Sequence, residues 1–143
     1  MQNIVVDSGV FIALFDGSDR YHAQAKSFMK NVRGRLHTNL PVITEVVHML
    51  DFSQQAQQDF LLWVNQSVRI DESTVGDWER ILTLLKKYSD LPADFADASL
   101  IGLCERLDTR TVASVDSDFT VYRDYARNHF TNVFWGLELT HEC

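Results

Sequence analysis

Residues 3–9 read Asn-Ile-Val-Val-Asp-Ser-Gly. A short β-branched run stops at an acid and a turn, the pattern of a strand that ends abruptly. The same grammar recurs at Thr111–Val115, where a second apolar run meets Asp116-Ser117-Asp118. Between these two runs, apolar residues recur at helical rather than strand spacing. Val10–Phe15 suits a short buried helix, and Asp19 starts a longer one carrying Tyr21, Ala25, Phe28, Met29 and Val32 on one stripe, ended at Gly34. Arg35–Thr38 reads as a strand. Asn39 is a favoured N-cap with Pro41 in the first turn of a helix through Val42, Val46, Met49 and Leu50. Ser53 opens another helix, Val68–Ile70 reads as a strand, and Thr74 caps a helix with Trp78, Ile81, Leu82 and Leu85. Leu91-Pro92 breaks the chain before a helix opening at Asp94 or Phe95. Thr131–Trp135 reads as a last strand.

Short strands alternating with helices predict an α/β fold: a central parallel sheet of about five strands flanked by helices. The 143 residues suffice for one domain with a real core, taken as 1–143 with 136–143 as a C-terminal tail. Apolar residues at 45% and charged residues at 23% argue against disorder. No apolar run approaches the roughly 18 residues of a membrane span, and the N-terminus lacks the basic and apolar regions of a signal peptide. Two cysteines, Cys104 and Cys143, are too few for a disulfide scaffold, so the expected location is cytoplasmic. Cys104 reads as a small core residue and Cys143 as a free thiol. The 20 acids against 13 bases give a net charge of −7, which evenly spread would disfavour nucleic acid.

The acids are not placed at random. In parallel α/β sheets, ligands bind beyond the carboxyl ends of the strands. Asp7, Asp116 and Asp118 follow strands directly. Glu45 lies early in a helix that follows a strand, and Asp94 and Asp97 share the first turn of another. Each has a plainer reading. Asp7 can cap the next helix, and Asp94 with Asp97 resembles a capping box. Asp116 and Asp118 can form a turn, and Glu45 can offset a helix dipole. Taken jointly, four segments deliver carboxylates to one edge. Converging carboxylates repel unless a cation is present, and oxygen ligands suit hard divalent ions, Mg²⁺ or Mn²⁺. Such a site suits metal-assisted phosphoester hydrolysis.

The series IVVDSGVFIALFD, LPVITEVVHML, LPADFADASLIGLCERL and VASVDSDFTVYR resembles the PIN-domain nucleases, most closely VapC-type toxins and their bacterial relatives, from Asn3 to about Trp135. The resemblance implies a metal-dependent endoribonuclease. It implies an acidic quartet of Asp7, Glu45, Asp97 and Asp116 as metal ligands, with Asp94 and Asp118 auxiliary. Ser8 and Ser114 would orient the first acid. It further implies an RNA substrate, a cognate antitoxin and a homodimer, with Val10–Phe15 and Asp19–Val32 as one antitoxin contact. Gly9 departs from the Asn or Ser common in such toxins, which would bear on substrate contacts. Of the two acids at 94 and 97, Asp97 is the expected ligand, since it directly precedes the apolar Ala98–Leu103.

Other residues carry weaker signals. His48 is three residues from Glu45 and can approach the site, although no His or Cys pair has zinc-ligand spacing. Lys26, Lys30 and Arg33 fall on one face of a helix, and Arg123 and Arg127 are spaced i, i+4; both sets are solvated faces or RNA-phosphate contacts. Two other readings compete: a catalytically silent PIN-like module that binds a partner, and a phospho-acceptor receiver domain. The receiver needs an acidic pair after the first strand and a late Lys, and no Lys follows Lys87. Setting the six clustered acids aside leaves 14 acids against 13 bases, so the charge excess belongs to the proposed pocket.

Overall fold

The computed structural model describes residues 1–91 and 94–135. Pro92, the 136–143 tail and Cys143 lie outside the described residues. Five strands form one parallel sheet: β1 (Asn3–Val6), β2 (Arg35–Asn39), β3 (Arg69–Asp71), β4 (Thr111–Ala113) and β5 (Thr131–Asn132). The spatial order is β3-β2-β1-β4-β5. The chain therefore lays strands outward from β1 to β3, then returns across β1 to lay β4 and β5. The reversal falls between β1 and β4, and it opens a crevice at their carboxyl ends. A receiver domain has a different strand order, 2-1-3-4-5, so that reading is set aside on topology.

Ile4, Val5 and Val6 are all buried, as expected of a central strand covered on both faces. The helices are α1 (Ser8–Phe15), α2 (His22–Asn31), α3 (Leu40–Met49), α4 (Gln54–Ser67), α5 (Trp78–Lys87) and α6 (Phe95–Leu107). α1 packs on α2, α3 and α4, and α6 lies against β1, β2, α3 and α5. Phe11 and Phe15 of α1 meet Phe60 of α4 at ring separations of 5.6 and 5.5 Å. Cys104 is fully buried within α6, a core residue as expected.

Several element ends differ from the sequence reading, each for a local reason. Asp19 does not start α2; its carboxylate accepts the Tyr21 N–H and closes a turn, and the helix begins at His22. α2 ends at Asn31 with Val32 extended, so Arg33 lies beyond the helical face that holds Lys26 and Lys30. Thr74 opens a 3-10 turn (Thr74–Asp77) rather than capping α5. β4 stops at Ala113 instead of Val115, because the Asn132 side chain takes both the N–H and the C=O of Ser114 (3.1 and 2.9 Å). Asn132 Oδ1 also accepts the Phe134 N–H, so β5 ends there and 133–135 turn helical. Arg123 and Arg127 share no helix. Arg123 donates to the carbonyls of Thr120, Val121 and Tyr122, and Arg127 has left-handed backbone (φ 65°). Between Val10 and Val32 the large apolar side chains are buried or, at Ile12, Leu14, Phe15, Tyr21, Met29 and Val32, half-buried.

Candidate active site

Asp7 stands at the crevice, one residue past β1. Its N–H extends the ladder to Ala113 O at 2.9 Å, which fixes its backbone against β4. Its carboxylate accepts the Ser8 N–H at 2.7 Å and the Ser114 hydroxyl at 3.0 Å. One side chain, 3% exposed, thus caps α1 and stands at the crevice. Ser8 donates its hydroxyl to Glu45 Oε1 at 2.8 Å, while its contact with Asp7 Oδ1 is a long 3.5 Å. Ser8 therefore ties β1 to α3, and Ser114 ties β4 to Asp7.

Two further links hold the acidic helices. Asn39 caps α3 by accepting the Val42 N–H and donates to Ser99 Oγ of α6 at 2.9 Å. Glu45 and Asp97 thereby stand on helices joined by a buried hydrogen bond. Asp94 caps α6 by accepting the Asp97 N–H at 2.8 Å. Asp94 is therefore the N-cap of α6, the first half of the capping-box reading, and one of its oxygens is engaged. Asp97 is half-buried and accepts the Tyr122 hydroxyl at 3.0 Å. Asp116 is exposed, with its N–H donated to Ser114 Oγ at 3.1 Å, and Asp118 opens a 3-10 turn (Asp118–Thr120).

The six acids form one electrostatic cluster. Burial lifts Asp7 to about 7, with the charges of Asp116 and Glu45 adding to it and the Ser8 and Ser114 hydrogen bonds opposing. Burial lifts Asp97 to about 8, with Asp7, Asp94 and Asp118 adding and Tyr122 opposing. Burial, then Asp118 and Asp94, also raise Asp116. Among the described residues the ion pairs join Arg80 to Glu105 and Arg106 to Asp71 and Asp77, and none reaches the cluster.

The donor set is of the kind that suits a hard divalent cation: all the candidate donors are oxygens, and among the described residues no ion pair offsets their charge. Among the described residues no three His, Cys, Asp or Glu groups stand close enough together to hold a metal ion as they are placed. Asp7, Glu45, Asp97 and Asp116 are the residues that could hold it.

Tyr122, Asn132 and Ser99 support the candidate site and were missed in the sequence, where Asn39 was read only as a helix cap. Gly9 faces the protein, not solvent: a Cβ there would stand 2.3 Å from Val115 Cγ2. Its departure from Asn or Ser thus reflects packing against the Ser114–Asp118 loop rather than a substrate contact. His48 is exposed and lines a surface pocket with Glu45.

Fold and site together define a parallel α/β domain with an acidic cluster at its topological switch point. Residues 4–125 match the family described as PIN domain, and the chain belongs to that family. Among solved structures, it is similar to the crystal structure of Mycobacterium tuberculosis VapC20, described as a sarcin-ricin loop cleaving toxin. The TM-score is 0.76 at 21% identity, covering 82% of this chain and 93% of that one. No curated protein matches in sequence.

Proposed function

We propose that this protein is a divalent-metal-dependent endoribonuclease and the toxin of a toxin–antitoxin pair. One observation carries the reading: six mutually repelling carboxylates, one of them buried, gather at the β1/β4 crevice with no ion pair to them among the described residues. Family membership supports it, as does the shared fold with a toxin described as cleaving the sarcin-ricin loop.

Asp7, Glu45, Asp97 and Asp116 would hold Mg²⁺ or Mn²⁺. The ion would supply an activated water and offset charge on the scissile phosphate. Ser114 orients Asp7, and Ser8 keeps Glu45 turned toward it. Asp118 and the free oxygen of Asp94 would steer metal-associated water. A carboxylate lifted toward neutral pH is suited to accept a proton during hydrolysis. No Ser or Cys nucleophile is required. The assembly would be a homodimer, silenced by a cognate antitoxin.

The test is cleavage of a structured and single-stranded RNA panel by purified protein in Mg²⁺, Mn²⁺ or EDTA. Asp7→Asn and Asp97→Asn should each lose more than about 100-fold in rate with an unchanged circular dichroism spectrum. Retained metal-dependent cleavage by Asp7→Asn would refute the assignment. Growth arrest on induction, relieved by Asp97→Asn, tests the toxin role. A silent module would bind Mn²⁺ yet cut nothing in the panel. No helix among the described residues is long and apolar enough to cross a membrane.

A further inference from the structure

A surface pocket of about 600 Å³ opens directly beside the acidic cluster, between the start of α3 and the start of α6. The two sites are continuous, because Glu45 and Asp94 belong to both. The pocket's other walls are of a different character. Leu40, Pro41, Phe95 and Ala96 make an apolar floor, with Thr44 and His48 at its polar margin. Leu40 is 58% exposed and Phe95 39% exposed, so both present apolar surface to whatever enters. The Phe95 ring is braced edge-on by Trp78 at 5.7 Å, which holds it as a fixed platform.

We propose that this pocket seats one unstacked base of the RNA, next to the bond that is cut. The inference rests on the nuclease reading of the neighbouring cluster and adds the substrate feature that reading lacks. The chemistry selects the base over the other parts of a nucleotide. A phosphate is repelled by Glu45 and Asp94 unless a cation intervenes, and a ribose gains little from an apolar floor. A base is flat, uncharged and apolar on its faces, and single-stranded segments are bound by stacking on aromatic rings. The volume lies within the roughly 300–1,000 Å³ of small-ligand sites. His48 and Thr44 are the neutral polar side chains of the lining, the Thr44 hydroxyl donating to Leu40 O at 2.8 Å. Because a paired base cannot reach the floor, the pocket favours loops and single strands over duplex RNA.

The experiment takes an RNA from the panel that the wild-type protein cuts, and a copy made abasic at each nucleotide flanking the cut in turn. One abasic position should raise KM about 10-fold. Phe95→Ala should raise KM for the intact RNA by a similar factor, with the loss in KM rather than kcat, and should erase the difference between intact and abasic RNA. Phe95→Tyr, which keeps a ring, should stay near wild type. A readout without turnover uses Asp7→Asn protein and RNA with 2-aminopurine at that position. Its fluorescence should be quenched on binding, and the added Phe95→Ala change should abolish the quenching. An unchanged KM in Phe95→Ala overturns the base pocket while leaving the nuclease reading intact. So does a change in oligomeric state with KM unchanged, which would make the floor a protein interface. If wild-type protein cuts no RNA, the nuclease reading fails first and the pocket fails with it.

Discussion

Tyr122 donates its hydroxyl proton to Asp97 Oδ2 and is itself wholly buried, with Tyr88 and Phe119 edge-on at 5.0 and 5.2 Å. The same interaction works in both directions. It draws Asp97 down against the burial and repulsion that lift it, and proximity to that carboxylate, added to burial, pushes the phenol up. Removing the hydroxyl leaves the upward influences unopposed. In metal-free Tyr122→Phe protein, Asp97 should therefore titrate above its wild-type value of about 8, read from its carboxyl carbon by NMR. An unmoved midpoint would show that the hydrogen bond is not made in solution. The contrast with Asp97 is instructive about legibility. Asp97 announces itself by preceding an apolar stretch in a helix. Tyr122 lies in an irregular segment where no periodicity assigns a face, and its partner is 25 residues away. Sequence grammar locates groups that sit on regular elements and misses those that reach the site from loops.

At the level of elements, α1 begins so close to the loop after β4 that residue 9 has no room for a side chain. A Cβ at Gly9 would meet Val115 Cγ2 at 2.3 Å, and a β-branched valine has few ways to turn aside. Gly9→Ala should displace the loop that carries Asp116 and Asp118, costing about 1–3 kcal/mol in stability and a larger share of activity. Adding Val115→Ala should restore much of both, measured by thermal melts and RNA cleavage. Failure of the double variant to recover would place the cost elsewhere. The helices themselves were legible, because their apolar stripes repeat at 3.6 residues and Asn39, Ser53 and Asp94 cap as their types suggest. The strand ends were not. Asn132 replaces the next ladder bonds of β4 with its own side chain, and composition cannot distinguish an amide that ends a strand from one that decorates it.

For the molecule as a whole, the acidic cluster sets stability against function. Asp7 and Asp97 have ordinary values of 3.8 and are lifted to about 7 and about 8 by folding. Between those limits the folded protein retains protons that the unfolded chain has released, so stability declines as pH rises. The contribution is complete below about pH 4 and is lost as pH passes 7 to 8. In EDTA, Tm should be several degrees lower at pH 9 than at pH 6, and Mg²⁺ should return most of the difference. Asp7→Asn should raise Tm at pH 9 in EDTA while removing activity. A Tm independent of pH in EDTA would contradict the coupling. The α/β class and the crevice edge were readable from strand and helix alternation, whereas the order 3-2-1-4-5 is a property of the assembled sheet. That order also governs when the crevice can form. Asp7 and its partner Ser114 are separated by 107 residues, and Ser114 is held by Asn132. A ribosome has therefore made most of the chain before the first acid acquires its neighbours, and a nascent polypeptide carries the acids without the crevice. C-terminal truncations ending before Asn132 should be inert toward RNA that the full chain cuts, however many of the acids they keep.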